Sequence, residues 1–307
     1  VPMEVNGIDL GEGSGMAPAA QVSAYKALWA DGEGQASGAT IDLVAAVEDA
    51  MSDGVDVINY SVSGSSESVV DPVELAFLSA ADAGIVVATS AGNSGDTVGV
   101  SSVAHNAPWT MTVAASTHNR NVNKTLTLGD GSTFEGVGVG SGLASSPLVY
   151  AADIPADGVE AVEAALCYPD TDPEEAGAQP SIDADAADGA VVICDRGDIA
   201  RVDKSAAVAD AGGLGMVLAN TDPAQSLNGD FHSVPTVHVD SAAGALIREY
   251  ATTDPTPTAA IGEPQDGAVV APEMAGFSSY GPALAGGGDL LKPDITAPGV
   301  DVLAAVS

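Results

Sequence analysis

Basic residues are scarce. Only 8 Lys and Arg stand against 43 Asp and Glu in 307 residues, a formal net charge of −35. Such a chain cannot neutralise phosphates, which excludes nucleic acid and anionic membrane surfaces as partners. The acid surplus also implies a saline setting, where screening relieves self-repulsion. Long apolar runs are missing too. None approaches the span of a bilayer, which points to a water-soluble protein. No charged and apolar leader precedes Val1, so a signal peptide is expected to have been removed or left out. Cysteine is rare, with only Cys167 and Cys194. The absence of C-x-x-C excludes a zinc knuckle. An even pair in a chain read as extracellular is expected to form one disulfide.

What is present suffices for a core. Apolar residues make up 46% of the chain, and the length allows two domains. The first 120 or so residues alternate strand and helix patterns. "QVSAYKALW" (21–29), "VDVINYSVS" (55–63), "IVVATSA" (85–91) and "WTMTVAAS" (109–116) read as strands. "TIDLVAAVEDAMSDG" (40–54) reads as a helix, with Thr40 as its cap and Gly54 just past its end. "DPVELAFLSAADAG" (71–84) reads as a second helix. Asp71 is its cap, Pro72 its first residue and Glu74 the partner in a capping box. This order implies an α/β fold with a parallel sheet covered on both faces.

Near residue 145 the character changes. The stretch 153–198 is rich in acids with one base, Arg196, and contains "PDTDPEEAG" and "DADAADG", which read as surface loops. "AVVICDRG", "GMVLANT" and "VPTVHVD" read as strands, and "IARVDKSAAVADAGG" and "SAAGALIREYA" as helices, the latter capped by Asp240 or Ser241. Residues 145–262 are therefore expected to form a compact second domain. The remainder is rich in Gly and Pro. No repeat of about 20–50 residues is visible.

Four stretches, in order and at matching spacing, resemble a subtilisin-like serine protease, a subtilase: "GSGMAPAAQVSAYKALW", "DGVDVINYSVSG", "GIVVATSAGNSG" and "FSSYGP…LKPDITAPGVDVLAAVS". The middle, through "GAVVICDRG" and "DFHSVPTVHV", resembles the protease-associated domain that larger subtilases carry as an insert. The resemblance implies residues 1–144 as the first part of a catalytic core, 145–262 as the insert and 263–307 as the core continued. It implies that Asn93 is the oxyanion donor, its amide aimed at the charge that develops when a serine attacks a peptide carbonyl. It implies that a substrate lies extended beside Ser61, Val62, Ser63 and Gly64, adding main-chain hydrogen bonds as a strand does. Ser90, Ala91 and Gly92 would form the facing wall of the pocket.

The catalytic triad of that family is missing. Its D-[ST]-G and H-G-T-H motifs belong before Val1 and its G-T-S-M-A motif after Ser307. No G-x-S-x-G elbow replaces them. The four histidines, His105, His118, His232 and His238, read as structural. The chain is thus expected to be the middle of a secreted serine endopeptidase acting on protein or peptide substrates, inactive by itself. The alternative is a non-catalytic module that binds protein or dimerises through the insert. No cofactor or metal is expected. "DADAADG" is out of register for an EF-hand and lacks its closing Glu. Strand alternation accounts for His232 and His238 with Asp230 and Asp240, and "ATSAGNSG" is not a dinucleotide-binding G-x-G-x-x-G. Asp294 is expected to shape the turn before the serine segment.

Overall fold

A computed structural model describes residues 1–5, 8–30, 36–169, 180–197, 199–267 and 271–304. The chain divides into two compact units. One comprises Ser14–Thr117 and Ala271–Val302, the other Val1–Gly13, His118–Val270 and Leu303–Ser307.

The first unit is a parallel α/β layer. Helix α1 (Thr40–Asp53) buries Val47 and Ala50, with Leu43, Val44 and Met51 packed beside them, the spacing of one helical face. It stops at Gly54, whose φ of 74° suits glycine and whose N–H returns to Ala50 and Met51. The cap position is Ala39, with no side-chain bond, so Thr40 is the first helical residue and not the expected cap. Helix α2 (Pro72–Asp82) starts as read: Asp71 accepts from the N–H groups of Val73 and Glu74 at 3.0 and 3.1 Å, and Pro72 opens the helix.

Four strands, β1 (Val57–Tyr60), β2 (Val86–Ser90), β3 (Met111–Ser116) and β4 (Ile295–Pro298), lie parallel in the order β4-β3-β2-β1. Ile58 and Val87 point to one face, where α1 and α2 close over them around the fully buried Phe77. Truncating Phe77 to alanine there would cost about 3–5 kcal/mol. The other face is uncovered within this unit. Val57, Val86, Met111 and Ile295 are 59%, 50%, 43% and 49% exposed. Cover on both faces, expected from the sequence, is thus met on one, because α1 and α2 pack on the same side. "QVSAYKALW" is corrected as well. Residues 21–28 pair with nothing as a strand, and only Trp29–Ala30 pairs, with Ala36–Ser37. Residues 21–24 stand in solvent, without a ladder to satisfy an extended backbone.

In the second unit a sheet runs in the order Thr258–Ile261, Leu143–Tyr150, Val191–Asp195, Gly215–Ala219, Thr236–Val239, Thr133–Val137, Asn121–Leu128, Gln265–Gly267. Thr258–Ile261 also pairs with Asn121–Leu128, so the sheet closes on itself. Its central strands are buried along nearly their whole length and read as almost continuous apolar runs. Ile247 of helix Ser241–Thr253 packs on one side. Ala207 and Val208 of helix Arg201–Asp210 pack on the other, beside the Cys167–Cys194 disulfide. That bridge is the one expected, and closing its loop is worth about 3–4 kcal/mol in the chain-entropy model. Asp240 is the cap of Ser241–Thr253, accepting from the N–H of Ala243.

Apart from Val1–Gly13 and Leu303–Ser307, this compact unit spans His118–Val270. The hairpin formed by Asn121–Leu128 and Thr133–Val137 pairs with Thr258–Ile261 and Thr236–Val239. Such long-range pairing leaves no trace in local composition. "DADAADG" is not an open loop: Asp183 caps a short helix, Ala184–Ala187. "PDTDPEEAG", apart from its first residue, lies outside the described residues. No described helix is long and apolar enough to cross a membrane.

Two histidines make this unit acid-sensitive. His238 is fully buried, bonded to Asn220 Oδ1 at 2.7 Å and accepting from the Asn228 N–H at 3.0 Å. Burial pushes it down to about 3, and burial likewise lowers His232, to about 4. Both therefore fold neutral, while the unfolded chain takes up protons near pH 6.5. The stability they confer is complete above pH 6.5 and is lost as pH falls toward 4. The slope reaches about 1.4 kcal/mol per pH unit for each histidine. Urea denaturation at pH 7, 6 and 5 reads this out, and His238→Gln should flatten the slope. A stability unchanged from pH 7 to 5 would contradict it.

Candidate functional site

A recess of about 280 Å³ opens in the first unit. Asn59, Ala88, Ser90, Val113, Ala115 and Ala297 line it from the sheet. By strand register these share the uncovered face with Val57 and Val86. The rest of the rim includes Ser61, Ala91, Gly92, Asn93 and Ser278. It lies toward the carboxyl ends of the parallel strands, where open α/β sheets place ligands.

The 91–95 turn is fixed by its backbone. Ala91 donates to Val113 O at 3.0 Å, and Ala104 donates back to Ala91 O at 2.8 Å. Ser279 donates from its N–H to Gly92 O and accepts at Oγ from the Ser94 N–H, both at 3.0 Å. Gly95 donates to Phe277 O. Glycine is required twice. Gly92 has φ 100°, and a Cβ on Gly95 would lie 2.2 Å from the Ser278 carbonyl. Asn93 takes no part in this closure. It is exposed, and its amide has no hydrogen-bond partner among the described residues. A neutral N–H donor is left free at the edge of the recess.

The structure brings Ser61, Ser90, Ala91, Gly92 and Asn93 around one opening. Val62, Ser63 and Gly64 continue from β1 without lining the recess. Instead, Val62 O meets His105 Nε2 at 2.6 Å. His105 is structural, as read, but its partner is unforeseen. Its Nδ1 lies 2.7 Å from Glu74 Oε1. Glu74 does not complete the capping box: its Oε1 goes to a residue 31 positions away, and its buried Oε2 has no partner among the described residues. Tyr60 rests edge-on against both His105 and Phe77. Burial, then Asp71 and Glu74, push the Tyr60 phenol up to about 12, so it stays neutral.

Asp294 does more than shape a turn. Its Oδ2 accepts from the Thr112 N–H at 2.7 Å and from Lys292 Nζ at 2.6 Å. Lys292 also donates to Thr110 O. The pair docks the start of β4 onto β3. His232, His238, Asp230 and Asp240, which alternate along the sequence, go separate ways. His232 meets Ser205, His238 meets Asn220, Asp230 pairs with Arg201, and Asp240 caps a helix. Chemically the recess offers a free amide donor, Asn93, beside small and hydroxyl-bearing side chains. Its lining includes serines but no histidine or lysine to take a proton.

Comparison with known proteins agrees with this architecture. The model of the subtilase family matches residues 4–306. The subtilisin-like protease SBT1.6 of Arabidopsis thaliana is 38% identical over 315 residues, covering 98% of this chain. SBT1.7 of the same plant is 38% identical over 303 residues, covering 96%. The chain spans 38% and 37% of the lengths of these two relatives. Among solved structures, a zinc aminopeptidase from Bacillus subtilis aligns with a TM-score of 0.31 at 17% identity. It covers 49% of this chain and 32% of that one, too weak a likeness to argue from. With a family model matched across nearly its whole length, the chain belongs to the subtilase family.

Proposed function

We propose that this chain supplies the oxyanion donor and the substrate-binding wall of a secreted subtilisin-like serine endopeptidase. Asn93 carries the reading. Its turn is closed without it, so its amide is available to a tetrahedral intermediate formed in the recess. Ser61, Val62, Ser63 and Gly64 offer backbone to an extended peptide, and Ser90, Ala91 and Gly92 form the facing wall. The proposal places the nucleophile and base outside this chain, since among the described residues no histidine, lysine or carboxylate lines the recess. Residues 145–262 we read as a protease-associated insert that contacts protein, and dimerisation through it is the accompanying proposal. The disulfide supports an extracellular setting.

The test uses casein and a chromogenic peptide, with this chain and with the full-length protein. We expect no hydrolysis by the chain, because a donor without nucleophile and base has nothing to attack with. We expect turnover by the full-length protein. A full-length protein that binds peptides but cleaves none would favour the non-catalytic module.

A further inference from the structure

Glu74 is the only Asp or Glu among the fully buried residues described. It sits 1% exposed, against a histidine that is also 1% exposed. Evolution of a pocket wall needs no such pair, since burying a carboxyl costs several kcal/mol unless it is well bonded. The proton arrangement says what it does. Val62 O can only accept, so His105 Nε2 carries a hydrogen and donates to it at 2.6 Å. The Nδ1–Oε1 contact at 2.7 Å must then hold a proton too, on either partner. Without it, two lone pairs would face each other away from water. Glu74 thus engages Nδ1, and with either placement of that proton Nε2–H is left to pin Val62.

Packing locks the ring in place. Tyr60 from β1 stands edge-on at 5.4 Å between centroids and Phe77 from α2 at 6.0 Å. Thr112 Oγ1 from β3 donates to the His105 carbonyl at 2.6 Å. On the remaining side lies Gly64. A Cβ there would come within 2.5 Å of His105 Cε1. Residues 62–64 are therefore laid directly on the imidazole, held by one hydrogen bond and by the absence of a side chain.

We infer that His105, oriented by Glu74, is the positioning residue that sets the path of the substrate-binding arm, residues 61–64, in the peptidase proposed above. It touches no substrate. It acts by holding the carbonyls and amides of the arm at the register an extended peptide needs.

The test is substrate length, in the full-length protein. A tetrapeptide anilide spans the arm, whereas a single-residue ester does not. With His105→Phe, which keeps the ring packing and loses the donor, kcat/KM on the tetrapeptide should fall about tenfold, mostly through KM. On the ester it should change less than about twofold. Glu74→Ala should behave like His105→Phe. Glu74→Gln should hold within about threefold of wild type, because its amide can donate to Nδ1 and preserve the Nε2–H tautomer. Amide hydrogen exchange of the same variants gives a readout independent of activity. In His105→Phe, residues 61–64 should exchange faster while Val87 and Thr112 keep their protection. If His105→Phe does not fold, Gly64→Ala carries the same test, since its methyl meets the ring. Equal losses on both substrates, or unchanged exchange at residues 61–64, would overturn the inference. A wild-type protein without peptidase activity would instead overturn the protease reading, and the exchange experiment would still decide whether His105 holds the arm.

Discussion

In the peptidase proposed above, replacing Asn93 with alanine should lower kcat on peptide substrates by about 10²–10³ and move KM little. The size is the one known for losing this donor in subtilisin itself, so the family lends it and the present geometry does not yield it. The direction does follow from the geometry. The amide is free, exposed and at the edge of the recess. A ground-state carbonyl gains little from it, whereas an oxyanion gains a charge-assisted bond. The turn should survive the change, since Ser279 and the backbone of Ala91, Ala104 and Phe277 hold it. Tm should therefore shift by less than about 2 °C, the range of an uncoupled surface substitution. Steady-state kinetics on a tetrapeptide anilide, beside a melting curve, checks both halves. An unchanged kcat in an active enzyme would refute Asn93 as the oxyanion donor.

Raising NaCl from 0.1 to 2 M should lift the Tm of this chain by roughly 10 °C or more. Eight bases can neutralise the charge of only eight of the 43 acids. Glu74 aside, the acids described are not fully buried, so they repel one another through solvent. The Debye length falls from about 10 Å at 0.1 M to about 3 Å at 1 M, which removes most of that repulsion. Calorimetry at pH 7 and at pH 4 separates screening from a general salting effect. Near pH 4 about half of the carboxyls are protonated, so the rise should shrink by at least half. A Tm that is flat or falling at pH 7, or a rise equal at both pH values, would refute the electrostatic account.

Much of the first unit was legible in the sequence. The alternation of β1, β2 and β3 with α1 and α2 is carried by local signals, namely apolar periodicity, an Asp-Pro start and a closing Gly. The edges of that reading failed where the deciding contact is distant. Residues 21–28 have the residue types of a strand but no ladder to join. The hairpin from Asn121 to Val137 looks like a continuation of the first unit, yet its hydrogen bonds go to strands beyond residue 235. Glu74 met every local criterion of a capping box, and a histidine 31 residues later took its carboxyl. At the site, Asn93 and its glycines could be picked out by resemblance. That the amide is spare could not, because it depends on Ser279 closing the turn from 185 residues away, the separation of the Ser94–Ser279 bond.

Thr117 and Glu273 exchange two hydrogen bonds, Thr117 N–H to Glu273 O at 2.8 Å and Glu273 N–H to Thr117 Oγ1 at 2.9 Å. Just beside them Ala275 donates to Ala115 O. This small clasp closes a stretch 156 residues long, after which β4 can add to β3. Bringing its ends together as unstructured chain is an entropic search. If the second unit has already collapsed, the search is over a few residues and the cost falls by about 3 kcal/mol. On a growing chain we expect β1 to β3 to emerge first with an open edge, His118–Val270 to fold next, and β4 to seal the sheet last. A lesion in the second unit, such as loss of its disulfide, would accordingly slow completion of a sheet to which it contributes no strand.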